Sequence, residues 1–576
     1  MNQKIKLIPL LLFSAFATQA AKDVKVMQYL HAGPITVNKP ILTDSLNVDG
    51  KPFEAKNLVK STIPFGRALG NAAVIDADTA GLITVPTPEK GYALHLYSFY
   101  LNSDRYTKGS LEVSGAGTFE VFVNNKPVGA TSELALEPHR YEVVIKYLTA
   151  DTDTCPSTLT AKFKSEEEAK VIASLDPEKR YTPRDILEGT QFRGTSVSPD
   201  GKYVLVKYYT RMEGGKSEQY AQLRDAATGR ILLQDKGFIL TADWMPTSSK
   251  MYFTRTGMNG KELVTVDPAT MQEEILAENL PEGSFSFTPD EKTLLYTIQE
   301  EGPKDGPDML RILEPNDRLP GFRNRYFIWR YDLQTGLYEQ LTYGHNNTFV
   351  NDVSADSRYL LFSTSEQDYT SLPHSSNSMY KLDLQSMAVD TLWERAKYIN
   401  GATFSPDGKQ LMVFGSGNAF DNIGLNIKEG QISNTYDGQL FLYDPATRKA
   451  KALTKDFNPN VTSAQWNKFD RQIYMLTEDQ DYQRVYTCNP ANGKIRRLDL
   501  PEDVIYNYSL AEAAPVMYYY GQSVSNANRL YSYNTKSKKT QLIYDLSADK
   551  LKDIQFGEVH DWNFTSTAVS YTHLTL

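Results

Sequence analysis

The residues best suited to chemistry lie in one charged stretch, 298–327, which reads IQEEGPKDGPDMLRILEPNDRLPGFRNRYF. Glu300 and Glu301 form a carboxylate pair, and two carboxylates can hold an ammonium group through charge-assisted hydrogen bonds. Arg311 and Arg323 follow, and a guanidinium suits a carbonyl or a carboxylate. We take these four as candidate substrate-binding residues. The competing interpretation is a solvated loop whose arginines pair with nearby acids.

No catalytic motif accompanies these charges. No serine has glycine at both second-neighbour positions, so the sequence lacks the Gly-x-Ser-x-Gly nucleophile motif. The seven histidines and the two cysteines, Cys155 and Cys488, are scattered without metal-ligand spacing, and no Gly-rich phosphate loop is present. We therefore expect no catalytic residue, no metal and no cofactor in this chain.

The elements that must position the charged stretch are organised around one repeated turn. Clear copies at 194–208, 284–298, 350–364 and 400–418 place Ser-Pro-Asp-Gly, or a variant of it, between two short apolar runs. Proline presets φ for a turn, and Asp and Gly tolerate the conformations that follow. With three weaker copies, the aligned turn positions are Ser198, Met245, Thr288, Ser354, Ser405, Asn467 and Ala511.

These turn positions are 43 to 66 residues apart, and a second strand–turn–strand motif follows each first one. Four strands per unit of this length predict a β-propeller. We predict an all-β chain with seven blades over 190–547. An eighth, degenerate blade is the alternative count, and a solenoid or separate sandwiches are the competing architectures. The longest intervals contain 298–327 and 415–438, which we expect to be loops that touch a partner or substrate.

The segments before the propeller have other patterns. Residues 1–20 have two lysines, an apolar run and small residues, which predict a signal peptide and export to the periplasm or beyond. Strand-like runs within 25–165 predict a small, jelly-roll-like β-sandwich that serves as a spacer or docking domain rather than a sugar-binding one. In it, His95 and Tyr97 are expected to pack rather than bind a ligand. Residues 166–189 are predicted to be a helical linker.

The composition of the chain limits the classes of binding partner that we expect. The net charge is −9 and no Lys/Arg run stands out, which argues against nucleic-acid binding. No apolar run after the signal peptide reaches the length of a membrane span.

The Ser-Pro-Asp-Gly repeat resembles the propeller repeats of TolB-like proteins and of the prolyl oligopeptidase and dipeptidyl peptidase IV-like serine peptidases. In those peptidases an α/β-hydrolase domain follows the propeller. Residues 556–567, FGEVHDWNFTST, resemble the first strand of that domain, so 548–567 is predicted to be a lead-in segment toward it. Residues 568–576 resemble translated adapter DNA and are predicted to be a non-native tail.

The resemblance implies a function for the chain. It would be the front part of a secreted serine peptidase whose propeller admits short peptides. It would supply no catalytic triad, it would be inactive alone, and the intact protein would form homodimers. In dipeptidyl peptidase IV-like enzymes a Glu pair holds the substrate's free amino terminus, although the surroundings of Glu300 and Glu301 differ from that motif. The alternatives are a stand-alone periplasmic TolB-like binding platform and a carbohydrate-directed surface protein.

Overall fold

The structure is a computed structural model, and it forms two units, 1–187 with 550–556 and 188–549 with 557–576. The predicted signal peptide and Cys155 lie outside the described residues. The structure describes residues 23–153, 156–165, 171–178, 181–304, 306, 309, 311–319, 321–524, 526–554, 559–565 and 571–575.

The first unit contains two antiparallel sheets. One has the order β1-β11-β6-β9 with β4 also on β11, and the other has the order β3-β2-β5-β10-β7-β8 with β12 also on β5. The strands are β1 (Asp23–Lys25), β2 (Gln28–Val37), β3 (Ala73–Asp76), β4 (Leu82–Val85), β5 (Tyr92–Ser103), β6 (Thr107–Gly115), β7 (Thr118–Val123), β8 (Lys126–Val128), β9 (Thr131–Leu136), β10 (Arg140–Ala150), β11 (Ser157–Ser165) and β12 (Val171–Ser174). The helical segments are a 3₁₀ helix (Ala55–Lys60), α1 (Phe65–Leu69) and α2 (Pro183–Leu187).

One core lies between these sheets, which makes the unit the predicted β-sandwich. Strand β11 shows why, because its residues alternate between the core and the outside: Leu159, Ala161 and Phe163 are buried. They pack in one cluster with Tyr97 and Tyr147 of the other sheet.

The predicted helical linker at 166–189 is wrong over much of its described part. Strand β12 pairs antiparallel with Tyr100–Ser103 of β5, and only α2 is helical. Val171 is buried while Ile172 is exposed, which is the alternation of a strand. A strand of four residues owes its stability to the neighbouring strand, and local composition does not encode that neighbour.

The second unit contains five sheets of four consecutive antiparallel strands and one sheet of eight strands, which divides into two further groups of four. We number these seven groups blade 1 to blade 7. This confirms the predicted all-β propeller and, over the described residues, its seven blades. The strands of blades 1 to 4 are β13 (Gly189–Val197), β14 (Tyr203–Arg211), β15 (Ser217–Asp225), β16 (Ile231–Asp235), β17 (Asp243–Trp244), β18 (Met251–Gly257), β19 (Gly260–Val266), β20 (Glu273–Ala277), β21 (Ser284–Phe287), β22 (Thr293–Glu300), β23 (Arg325–Asp332), β24 (Tyr338–Gln340), β25 (Thr348–Val353), β26 (Tyr359–Gln367), β27 (Ser375–Asp383) and β28 (Val389–Ala396).

Blades 5 to 7 follow the same plan, and one parallel pairing, Gln483 with Val504, joins blades 6 and 7. Their strands are β29 (Ile399–Phe404), β30 (Leu411–Ser416), β31 (Gly438–Asp444), β32 (Lys449–Ala452), β33 (Asn460–Trp466), β34 (Ile473–Asp479), β35 (Tyr482–Cys488), β36 (Ile495–Arg497), β37 (Val504–Leu510), β38 (Val516–Ser523), β39 (Asn526–Asn534) and β40 (Lys539–Asp545). The short helical segments of this region are 3₁₀ turns at Glu213–Gly215, Phe238–Leu240 and Pro315–Arg318, then α3 (Ala419–Asn422) and α4 (Ala548–Leu551).

The repeated turn is a hydrogen-bonded unit. The Ser405 hydroxyl donates to the Asp407 carboxylate over 2.7 Å and accepts from the Gln410 N–H over 3.0 Å. The backbone N–H of Gly408 closes the turn on the Ser405 carbonyl over 2.8 Å. The seven aligned turn positions are all at most 4% exposed, so the turn also anchors each blade in the core.

Blade 1 packs against blade 7, which closes the ring. The backbone N–H of Val197 donates to the Ser509 hydroxyl over 2.9 Å, and Phe192 and Tyr208 share a buried cluster with Tyr518. Because every blade consists of four consecutive strands, none of the described strands is exchanged between the two ends of the propeller. The ring is therefore closed by packing and hydrogen bonds rather than by a shared sheet.

Antiparallel strands place the two long insertions on one face of the propeller. The connections from first to second and from third to fourth strand lie at one end of a blade, and the other connections lie at the opposite end. Segments 301–324 and 417–437 both join a second strand to a third, so both lie at this opposite end, the insertion face. The Ser-Pro-Asp-Gly turns lie on the other face, the turn face. The chain enters at Gly189 and leaves at Asp545 on the insertion face.

The predicted lead-in segment and tail are described only in part. β41 (Asp561–Thr565) of the predicted lead-in segment pairs antiparallel with β42 (Tyr571–Thr575) of the predicted tail. The Tyr482 hydroxyl of blade 6 donates to the Asp561 carboxylate over 3.3 Å.

Candidate substrate pocket

The insertion of blade 3 surrounds a pocket of about 440 Å³ on the insertion face. This volume lies within the range of small-ligand sites. Three of the four candidate residues contribute to its lining. The charged lining residues are Glu301, Lys304, Arg311, Asp317, Arg318 and Arg323.

Asp317 organises the wall of this pocket. Its carboxylate accepts from the backbone N–H groups of Leu313 and Glu314 over 2.7 and 2.9 Å, and from the Arg323 guanidinium over 2.7 Å. The hydrogen bond from Arg323 is the main cause that holds the pKa of Asp317 at about 2, with the two backbone donors assisting. The carboxylate therefore stays ionised and ties Arg323 to the loop.

The two ends of the insertion are clamped together. The N–H of Gly302 donates to the Asn324 side chain over 3.0 Å, and the Arg325 guanidinium donates to the carbonyls of Phe322 and Asn324, each over 2.9 Å. A side chain at Gly302 would meet the Arg323 backbone oxygen at 2.7 Å, so the close approach requires glycine. The clamp holds the mouth of the pocket in one geometry.

The Glu pair does not act as one unit. Glu301 lines the pocket, where its carboxylate accepts from the Lys304 ammonium over 2.6 Å, and this hydrogen bond lowers the pKa of Glu301. Glu300 is not among the lining residues, and its carboxylate accepts from the Gln340 amide over 3.4 Å. The structure thus brings Glu301, Arg311 and Arg323 together and places Glu300 apart from them.

The candidate set left out three charged residues of this pocket, Lys304, Asp317 and Arg318. The signal for Asp317 was present in "EPNDR", where an acid two residues after proline is typical of a helical first turn that caps free backbone N–H groups. Nothing in the local sequence indicated that Lys304 would pair with Glu301 at the mouth of a pocket.

The pocket carries four cationic and two anionic side chains, a formal excess of two positive charges (4 − 2). Such a lining favours a carbonyl or an anionic group of a ligand. Within the ranges that the structure describes, no three His, Cys, Asp or Glu side chains are grouped to hold a metal ion. No helix in the same ranges has the length and apolarity needed to cross a bilayer.

Comparison with known proteins shows the fold. The sequence matches no protein-family model and no curated protein. An acylaminoacyl peptidase solved with a chloromethyl ketone matches with a TM-score of 0.50 at 12% identity, over 69% of this chain and 58% of that one. The β-propeller domain of the Trilobed protease from Pyrococcus furiosus matches with a TM-score of 0.42 at 12% identity, over 62% and 96% of the two chains.

One of two described prolyl endopeptidases has a TM-score of 0.43 at 15% identity, over 68% of this chain and 54% of that one. This chain thus spans somewhat more than half the length of the two full peptidases, 58% and 54%. The structural neighbours named here are peptidases, and at this identity the likeness to the acylaminoacyl peptidase shows a shared fold.

Proposed function

We propose that this chain is the substrate-admitting, non-catalytic part of a longer, exported serine peptidase of the prolyl oligopeptidase type. The observation that carries the proposal is the arrangement of the propeller: both long insertions and both ends of the propeller, Gly189 and Asp545, lie on one face. A domain that continues from Asp545 starts on the face that carries the charged pocket. Short peptides that pass this face would meet the pocket before reaching a catalytic serine.

In this proposal the pocket of blade 3 receives the carboxylate end of a short peptide. Its excess of positive charge and its clamped mouth support that role. Arg311 supplies hydrogen-bond donors to the carboxylate, while Arg323 is held by Asp317 and shapes the wall. Glu301 remains a candidate for a peptide amino group in competition with Lys304, and Glu300 lies outside the pocket.

The gene tests the proposal first. Sequencing past codon 567 is expected to reveal a reading frame that continues into a Gly-x-Ser-x-Gly motif. A fluorophosphonate probe should label that longer protein at this serine and leave the present chain unlabelled. An authentic stop codon, or labelling of the present chain, would contradict the proposal, and the stop codon would favour the TolB-like platform.

The pocket is tested separately in the longer protein with two peptides that differ only at the carboxyl terminus, free or amidated. Arg311→Ala is expected to raise KM for the free peptide about tenfold, since a hydrogen bond to a charged group contributes about 1.5–3 kcal/mol. The amidated peptide should be unaffected. Arg448→Ala is the matched control. Arg448 of blade 5 pairs with Asp390 of blade 4 and does not line the pocket. Equal effects on both peptides would contradict the carboxylate role.

A further inference from the structure

Neighbouring turns on the turn face are bridged across three consecutive blade boundaries. In each bridge, the left-handed residue of one turn accepts a hydrogen bond from a backbone N–H of the preceding turn. The φ angles of these left-handed residues, Ser249, Glu291 and Ser357, lie between 57° and 60°. The bridges are Asp200 N–H to Ser249 Oγ (3.1 Å), Thr247 N–H to Glu291 Oε1 (2.7 Å) and Asp290 N–H to Ser357 Oγ (2.8 Å).

This bridge cannot form between blades 5 and 6. The left-handed residue of the blade 6 turn is Arg471, with φ 58°. A guanidinium only donates hydrogen bonds, so it offers no acceptor to the preceding turn. In the described part of the chain the N–H of Asp407 makes no bridge to a neighbouring turn, although Asp200 and Asp290 use theirs for one. A pocket of about 300 Å³ opens between the two turns instead.

The lining of this pocket combines a flat ring with polar groups. The Trp466 indole is half-buried, and its N–H donates to the Arg471 carbonyl over 3.2 Å, which fixes the ring. Gln410 and Gln472 also line the pocket and are half-buried. Their side-chain amides form no hydrogen bond to other described residues, and each amide can both donate and accept. Pro406 and Pro490 stiffen the rim.

We propose that this pocket binds a saccharide unit that carries a carboxylate, such as a hexuronate. A pyranose presents an apolar face of C–H groups, which fits the Trp466 ring, and a rim of hydroxyls, which fits the amides of Gln410 and Gln472. Its carboxylate supplies the acceptor that Ser249 and Ser357 supply elsewhere, and it takes hydrogen bonds from the Asp407 N–H and the Arg471 guanidinium. The site lies on the turn face and does not depend on the peptidase proposal.

Saturation-transfer NMR on the full chain tests the site with methyl β-D-glucuronoside and methyl β-D-glucoside, which differ only in the carboxylate. Magnetisation is expected to pass to the ring protons of the glucuronoside, with at least threefold weaker transfer to the glucoside. Absence of transfer to the glucuronoside would overturn the proposal. Equal transfer to both sugars would overturn the carboxylate assignment.

Substitutions of pocket residues test whether the glucuronoside binds in this pocket. Arg471→Ser supplies the missing acceptor, so it is expected to bridge the two turns, weaken glucuronoside binding at least tenfold and raise the thermal midpoint. Gln472→Ala leaves the turn backbone and Trp466 in place and is expected to weaken binding severalfold. Arg448→Ala, at the boundary of blades 4 and 5, is the matched control and should bind normally. Unchanged binding in either pocket variant, with near-UV circular dichroism showing an intact fold, would overturn the proposal.

Discussion

The hydroxyl of Tyr518 in blade 7 donates a hydrogen bond of 2.8 Å to the carbonyl of Ala226 in blade 1. The two residues are 292 positions apart, and both are buried. No described strand is shared between the first and last blades, so the ring is closed by links such as this bond and the one from Val197 to Ser509.

Tyr518→Phe tests that closure. The variant keeps the ring in place and leaves the buried carbonyl of Ala226 without its donor, so unfolding free energy is expected to fall by about 1–3 kcal/mol. Urea unfolding followed by circular dichroism measures the change. Tyr343→Phe is the control, since Tyr343 is 87% exposed and should change stability little. Equal stability of Tyr518→Phe and the unaltered protein would show that packing alone closes the ring.

The repeated turn makes a second prediction. Ser198 is fully buried, and its hydroxyl donates to Asp200 over 2.7 Å and accepts from the Tyr203 N–H over 3.0 Å. Ser198→Ala removes both bonds and is expected to lower unfolding free energy by about 1–3 kcal/mol. Ser198→Thr keeps the hydroxyl and is expected to restore part of the loss, as the threonine of blade 3 forms the same bonds. If Ser198→Ala and Ser198→Thr lowered the free energy of unfolding equally, the contribution of Ser198 would come from packing rather than from hydrogen bonding.

The stability of the propeller is expected to fall in acid, because Asp383 becomes protonated. Its carboxylate accepts two hydrogen bonds from the Arg358 guanidinium, the main reason that its pKa lies at about 2 rather than 3.8. A pKa lowered by folding contributes stability above 3.8 that is lost as the pH falls toward 2. Urea unfolding at several pH values should show Asp383→Asn destabilised at pH 6, with the difference shrinking toward pH 2.

Asp390→Asn is the control for this series, since its pair with Arg448 joins two half-exposed groups that contribute little. A difference between Asp383→Asn and the unaltered protein that stays constant from pH 6 to pH 2 would contradict the expectation.

The β-sandwich should lose stability at a higher pH than the propeller does, because of His95. This side chain is fully buried; it lies 3.0 Å from a His31 ring nitrogen and 3.1 Å from the Thr149 hydroxyl. Burial, with a smaller contribution from His31, lowers the pKa of His95 to about 4. The stability of the neutral ring is complete above pH 6.5 and is lost progressively as the pH falls toward 4.

Histidine-selective NMR titration of the full chain measures this directly, and the His95 resonance is expected to titrate near pH 4. In His95→Gln the thermal midpoint should depend less on pH between 6.5 and 4.5. Titration of His95 near 6.5 would contradict the expected burial of a neutral imidazole.

The blades could be predicted from the sequence because each repeated turn is specified by residues that are close together in the chain. The turn at Ser405 is encoded by adjacent residues, because serine, proline, aspartate and glycine each contribute a conformational preference or hydrogen bond within six positions. His95 and Tyr97 were likewise assigned to packing, and both are fully buried.

Groups that meet across long stretches of chain were beyond the sequence. Glu300 and Glu301 are adjacent in sequence at the end of β22, yet they have different partners. Glu300 accepts a hydrogen bond from Gln340, and Glu301 pairs with Lys304. Successive side chains of an extended segment point to opposite sides, but their partners are set by the loop that returns to them.

The sequence by itself determined the all-β class, the seven turn positions and the two insertions, since these depend on patterns of neighbouring residues. Only the tertiary structure decided that Asp317 would clamp Arg323, that β12 would extend the sandwich, and that Arg471 would leave the turns of blades 5 and 6 unbridged. Those outcomes depend on how separate strands and turns are placed beside one another. That placement is the result of packing the whole sheet array, in which no single segment specifies its partner.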